Sequence, residues 1–396
     1  MDAHVSPELW YIGILFALFV VPRALQRFAI PAAITGLALG AAAGLGFGLF
    51  QHDTTLHLLS AFGIVALFLF AGLEVDTREL RDNAGVLLQH LAVRTVLLVL
   101  VAYALNRLLH LEGRAATLLA LALLTPSTGF ILDSIGQLRL APEEKRWIKS
   151  KAIATELLAL LVLFGALQST SVQRMGISLA VLVSMILLLP LVVRAFAALV
   201  VPFAPRSEFA FLLMIAVLCA FATRELGVYY LVGAFVVGMT AQRFRERLPA
   251  LASEQLIHAV EMFASFFVPF YFFNAGLRLR REDLDLGSLG YGLAFLALMA
   301  PLRVGTVVLH RRLALREGWR EGVRVAVAML PTLVFGLVIA EILRDRFSVS
   351  PALFGGVILY TLATTVLPAM FFRGPIPEYL EPHAPELEQP GTQPER

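Results

Sequence analysis

The sequence predicts an all-α polytopic membrane protein, and three observations carry that prediction. Of 396 residues, 59% are hydrophobic and only 15% are charged, against about 25% charged in ordinary soluble domains. The apolar residues come in runs of about 20, enough for a helix to cross a hydrocarbon layer about 30 Å thick. The basic residues fall between the runs, concentrated in alternate loops.

Windows of that length place about thirteen spans, at approximately 8–24, 29–49, 56–75, 83–105, 115–136, 147–168, 176–198, 207–225, 227–243, 258–277, 287–309, 321–343 and 349–372. The first follows MDAHVSPELW, which has neither a basic leader nor a small-residue cleavage site, so it is expected to be retained as a helix. The second carries Gly36, Gly40, Gly44 and Gly48 at a constant spacing of four. Such a stripe lets helix backbones approach closely, within the subunit or across a dimer. The third ends in charge at Glu74, and the fourth contains Arg94. The fifth is interrupted by Thr125-Pro126-Ser127-Thr128-Gly129 and the twelfth by Leu330-Pro331-Thr332 ahead of Gly336. Proline removes a backbone donor and breaks the preceding turn. Paired interruptions in two halves of a chain point to inverted repeats and a binding site near the bilayer midplane. The eighth and ninth spans are parted only by Glu225-Leu226-Gly227. The eleventh holds Arg303, and residues 374–396 form a proline- and glutamate-rich stretch expected to be a disordered cytoplasmic tail.

Several function classes fall away. The three lysines, Lys145, Lys149 and Lys151, do not follow a glycine, so no P-loop is present. No HExxH or GxSG occurs, and Cys219 is the single cysteine, which excludes an intrachain disulfide and a cysteine metal cluster. An enzyme, a cofactor and nucleic-acid binding are not expected. The basic loops follow the odd-numbered spans, although Arg278, Arg280 and Arg281 break the trend. The positive-inside rule then puts the N-terminus outside and the C-terminus in the cytoplasm of a cell (inner) membrane.

The most informative pair is Thr155-Glu156, set in the apolar run from Ala152 to Leu167. A carboxylate there costs about 3 kcal/mol on insertion scales. Such a group binds an ion, carries a proton, pairs with a cation, or reaches water at the interface beside Lys149 and Lys151. Thr125, Ser127 and Thr128 flank the proline of the fifth span and offer neutral oxygens, which suit hard monovalent cations.

Taken together, the chain from about Leu9 to Phe372 resembles the cation:proton antiporter superfamily, in its monovalent cation:proton antiporter-2 branch. The similarity rests on LFLFAGLEVDTREL (67–80), AIATELLALLVL (152–163), LVGAFVVGM (231–239) and FFVPFYFFNAGLRL (266–279), in order and at the right spans. The sequence departs from the family at two places. Thr155-Glu156 stands where relatives have Asn-Asp, Asp-Asp or Gln-Asp, and PTLVFGL stands where many have a polar stretch in span 12.

The resemblance implies a membrane transporter domain over residues 1–373. Its gate and dimerisation part would be about 8–75 and 207–277, its core about 83–168 and 287–372, and its connector helix about 176–198. Broken spans 5 and 12 would cross in the core, and the core would move like an elevator in a homodimer. Glu156, with Thr155, Thr125, Ser127 and Thr128, would bind a proton or a monovalent cation, Na+ or K+, in competition. Arg303 would meet Glu74 or Glu156; Glu74 is favoured, which leaves Glu156 free to exchange. Asp133 is the candidate for the cytoplasmic funnel. With one exchanging carboxylate the exchange would be electroneutral. Two rivals are a transport-inactive sensor or interaction partner and a sodium-coupled organic anion carrier on a related fold. Arg94 and Glu261 receive no role at this stage.

Overall fold

The apolar runs become helices whose ends fall where charge, proline or glycine interrupts them. The computed structural model describes residues 7–26, 30–50, 53–135, 138, 140–204, 207–227, 230–243 and 254–372. The expected tail at 374–396 lies outside the described residues. The helices are α1 (Pro7–Gln26), α2 (Ala32–Ala41), α3 (Thr54–Leu73), α4 (Thr77–Asp82), α5 (Ala84–Leu109), α6 (Gly113–Leu124), α7 (Thr128–Ile135) and α8 (Pro142–Gln168). They continue with α9 (Val172–Leu199), α10 (Glu208–Glu225), α11 (Tyr230–Arg243), α12 (Glu254–Leu277), α13 (Leu286–Ala314), α14 (Trp319–Ala328), α15 (Leu333–Phe347) and α16 (Pro351–Phe372).

Each predicted window coincides with a helix or an interrupted pair, but the count of thirteen crossings is not reproduced by length and composition. Among the described residues eight helices are long and apolar enough to cross a membrane, or nine if the bent pair α14–α15 is one span. The apolar helical stretches in the first two windows, Leu9–Leu25 and Ala32–Gly46, are shorter, and α11 has only 14 residues.

Local chemistry sets the helix ends. Asp53 accepts from the Leu56 N–H at 2.9 Å and caps α3. Glu144 reaches back to the Ala141 N–H at 2.7 Å, just ahead of Pro142 at the first position of α8. Asp285 caps α13 by accepting from the Ser288 N–H at 2.6 Å and the Ser288 hydroxyl at 2.7 Å. Those bonds favour the ionised form and hold its carboxyl below the usual carboxylate range.

Two sets of helices pack mainly among themselves. In one, α3 lies against α11 and α12, α2 against α12, and α10 against α11. In the other, α13 lies against α14 and α16, α15 against α16 and α6, and α5 against α6 and α8. Helix α9 touches α8 and α11 and buries only 17% of its apolar window. The glycine stripe of α2 resolves as an intrasubunit contact. A Cβ on Gly40 would stand 2.0 Å from the Phe273 carbonyl oxygen, and one on Gly276 would stand 2.0 Å from that of Leu37. These backbones touch, which no larger residue permits. Gly48 does not share this role: it has φ +65 beyond the helix and no neighbour near its Cβ position.

The chain path defines two faces. Helices α3 and α13 end, and α8 and α14 begin, at the first face; α12 and α15 end, and α16 begins, at the second. Large apolar side chains such as Val96, Val99, Leu100 and Leu187 are exposed between the faces, as expected of surfaces that meet lipid.

Candidate ion site at the crossing of two broken helices

The two interruptions read from the sequence are real breaks. Residues 125–127 separate α6 from α7, and residues 329–332 separate α14 from α15, which bend by 50°. The breaks touch: the Ser127 N–H donates to the Pro331 carbonyl at 2.8 Å, and the Val334 N–H donates to the Ser127 hydroxyl at 3.4 Å. Four helix ends therefore meet inside the protein, the C-termini of α6 and α14 and the N-termini of α7 and α15. Each carries about half an elementary charge, negative at the C-termini and positive at the N-termini.

Arg303 serves both negative ends. Its guanidinium donates to the Leu123 carbonyl at 3.4 Å, to the Met329 carbonyl at 2.8 Å and to the Tyr360 hydroxyl at 3.1 Å. Tyr360 in turn donates to the Leu123 carbonyl at 2.7 Å. One buried cation thus ties α6, α14 and α16 to α13. This corrects the expected Arg303–Glu74 pair. Arg303 lies 11 residues before the end of α13, roughly 16 Å along the axis. Glu74 is the C-cap of α3 at the first face, where Lys149 meets its carboxylate at 2.6 Å.

Glu156 serves a positive end. It is 2% exposed, and its carboxyl lies against the amide and hydroxyl of Thr128 in the first turn of α7. Its Oε2 and the Thr128 hydroxyl still lack a properly formed hydrogen bond among the described residues. Glu156, Ser127 and Gly129 line a cavity of about 10 Å³ with Leu67, Phe68, Ala71, Val334 and Phe335, room for about one water-sized occupant. The interfacial alternative for Glu156, reaching water beside Lys149 and Lys151, does not hold.

The other predicted oxygens do not converge there. Thr155 follows the turn of α8 to another side, 100° away on a helix of 3.6 residues per turn. It shares a crevice of about 20 Å³ with Thr125 and Arg94, Leu98, Leu121, Leu124, Leu158 and Ala159. Its hydroxyl donates to the Lys151 carbonyl at 2.7 Å, and His90 Nε2 stands 3.1 Å away. The sequence set therefore splits into Glu156, Ser127 and Thr128 on one side and Thr155 and Thr125 on the other. Arg94 lies beside the last turn of α6, where a positive charge offsets the C-terminal dipole. Asp133's side chain lies outside the described residues. Glu261 sits 3.4 Å from His258 on α12.

Behind Thr155 runs a seam that the sequence did not reveal. Lys151, fully buried, approaches His310 Nδ1 at 3.2 Å, and the His90 and His310 rings lie 5.5 Å apart. A histidine inside an apolar span is itself a signal, and the available clues were His90 in span 4 and His310 immediately after span 11. At the first face, Arg324 pairs with Glu144 at 3.0 Å and Arg311 with Glu317. At the second, a cavity of about 430 Å³ is lined by Arg278, Arg280, Glu341, Arg344 and Asp345. There Arg278 meets Glu341 at 3.4 Å and Asp345 at 3.6 Å. Local acids thus answer one of the basic residues that broke the loop-charge trend.

The family model for the sodium/hydrogen exchanger transmembrane region matches residues 14–373. The chain belongs to the sodium/hydrogen exchanger family. It is 39% identical over 71 residues to a protein described as probable Na(+)/H(+) antiporter 3 of Methanocaldococcus jannaschii. That alignment covers 18% of this chain and 18% of the relative. Two solved structures of the sodium proton antiporter MjNhaP1 from the same organism share the exchanger fold. One, at pH 8, has a TM-score of 0.67 at 15% identity and covers 92% of this chain and 95% of its own. The other, from an electron-microscopy map, has a TM-score of 0.64 at 15% identity and covers 92% and 94%. At such identity the similarity speaks for the fold, while the match from residue 14 to 373 carries the family.

Proposed function

We propose that this exchanger-family protein is a secondary active antiporter that trades a monovalent cation, Na+ or K+, for protons. The observation that carries this is Glu156, a buried carboxylate aimed at the N-terminus of a broken helix with unfilled hydrogen-bonding capacity. The proton and the cation compete for its oxygens. Ser127, Thr128 and the backbone of the breaks supply neutral oxygens around it. Because both ligands need the same group, a gradient of one drives the other. Low pH on the loading side displaces the cation, and high cation displaces the proton.

Only Glu156 changes occupancy in this scheme. Thr155 is uncharged, and Arg303 stays cationic because a guanidinium does not deprotonate in proteins. One proton is therefore exchanged for one cation, with no net charge moved. The helices that pack with α13 would move as an elevator core against those that pack with α3 and α12, in a homodimer. The first face, which collects Arg78, Arg81, Lys145, Arg146, Arg312, Arg316 and Arg320, would be cytoplasmic, in a cell membrane. The small cavity at Glu156 disfavours an organic anion as cargo. The apolar second break, with Leu333 and Val334, is the one feature that favours a transport-inactive sensor instead.

The test is reconstitution of the full chain into vesicles with a pH-sensitive dye inside and sodium, potassium or lithium added outside. Cation addition is expected to move protons outward. A potassium–valinomycin potential is expected to leave the sodium–proton rate unchanged. Acceleration of several-fold would refute electroneutrality, and absence of proton movement with every cation would favour the sensor.

A further inference from the structure

The second-face cavity of about 430 Å³ lies where the two sets of helices join. Leu277 ends α12 and Arg278 follows it, while Glu341 and Asp345 belong to α15 and Phe354 to α16. Helix α12 packs with α3 in one set, and α15 packs with α16 in the other. Arg278 is bonded to both. Its N–H donates to the Asn274 carbonyl at 3.3 Å, in the last turn of α12. Its carbonyl accepts from Arg344 of α15 at 2.7 Å, and its guanidinium meets Glu341 at 3.4 Å and Asp345 at 3.6 Å.

These contacts differ in strength. Arg344 also pairs with Asp283 at 2.6 Å and lies over the Phe354 ring at 3.2 Å. The Arg344 and Asp283 side chains are only 15% and 2% exposed, so this clamp fastens the turn at 281–284 to α15 and α16. The Arg278 and Asp345 side chains are 38% and 61% exposed. Water weakens such a contact, and its distances are long. The Arg278 side chain is therefore a strut that yields before the Arg344 clamp does.

Helix α15 connects the strut to the carboxylate site. Val334 lines the Glu156 cavity, whose opposite wall is Leu67, Phe68 and Ala71 of α3. Val338 and Glu341 follow Val334 at spacings of four and three, on one helix face. Val338 is 1% exposed. From Val334 to Glu341 is about 10 Å along the axis. One face of α15 thus runs from the Glu156 cavity to the second-face cavity, with Val338 between them.

We propose that the second-face cavity is the approach to Glu156 from that side, and that Arg278 is the positioning residue that keeps it shut. Its guanidinium ties the α3–α12 set to α15. When it releases Glu341 and Asp345, the two sets part along the Val338 face and a path opens to Glu156. This role rests on the reading of Glu156 as the exchange site.

The test uses the full chain in detergent with Cys219→Ser, which removes the native thiol, and Val338→Cys as the probe. Labelling by a water-soluble methanethiosulfonate is followed by intact-mass spectrometry. Arg278→Gln removes the strut and leaves the backbone clamp of Arg344 in place. It should speed labelling several-fold, while Arg278→Lys, which keeps the charge, should stay nearer the parent rate. Glu341→Gln with Asp345→Asn should match Arg278→Gln, and all three changes together should add nothing further. An unchanged rate in Arg278→Gln, or an additive rise in the triple variant, would overturn the strut. So would an equal rise at a control Ala216→Cys, buried in the middle of α10, which would mean general loosening. Labelling does not depend on cation-driven proton movement. A protein that labels as expected but exchanges no ions would fault the antiport reading and leave the strut standing.

Discussion

Thr155 and Glu156 are neighbours in the chain and face different worlds. Glu156 turns to the crossing, against Thr128, with hydrogen-bonding capacity left over. Thr155 turns to α5 with its hydroxyl committed to the Lys151 carbonyl and to His90. The difference teaches that a paired motif need not act as a pair. One residue keeps reactive capacity free, and the other spends its capacity on holding helices together.

The largest expected effect breaks the first side of that comparison. Glu156→Gln retains shape and hydrogen bonding but cannot exchange a proton for a cation. Cation-driven proton movement in vesicles should be abolished, while yield and membrane insertion stay normal. Exchange at the parent rate in this variant would remove Glu156 from the mechanism.

Arg303 comes next, because it serves the negative ends that Glu156 does not. Arg303→Ala leaves the Met329 carbonyl without its donor and deletes charged hydrogen bonds, each worth about 1.5–3 kcal/mol. A fall in detergent thermal midpoint equivalent to about 3 kcal/mol or more is expected. Glu74→Ala, whose partner Lys149 is half-exposed at the face, should fall far less. Equal losses would restore the abandoned Arg303–Glu74 pair.

The smallest effect sharpens the second side. Thr155→Val removes an acceptor from His90 and is expected to cost about 1–3 kcal/mol of stability. Cation affinity, read as the concentration giving half-maximal dye response, should stay within about two-fold. A shift of ten-fold or more would return Thr155 to the ion shell.

Much of the fold was legible because its signals are local. Runs of about 20 apolar residues marked the helix positions, and Pro126 and Pro331, which remove a backbone donor, marked both breaks, although Pro22, Pro190, Pro269, Pro301 and Pro368 lie inside continuous helices. The glycine spacing of α2 announced a close helix contact but not its partner, α12. Glu156 was legible because charge in an apolar run is costly in any arrangement. Its place against Thr128 was not, nor was the network of Arg303, because a hydrogen bond depends on where two helices lie, and Arg303, Leu123, Met329 and Tyr360 come from four separate segments.

The sequence by itself thus determined an all-α membrane fold with two broken helices and one central carboxylate. The tertiary structure alone decided which way each side chain turns, because 100° per residue sends adjacent residues to different neighbours. It therefore decided that Glu74 meets Lys149, that Arg303 caps α6 and α14, and that Thr155 belongs to the seam of His90, Lys151 and His310.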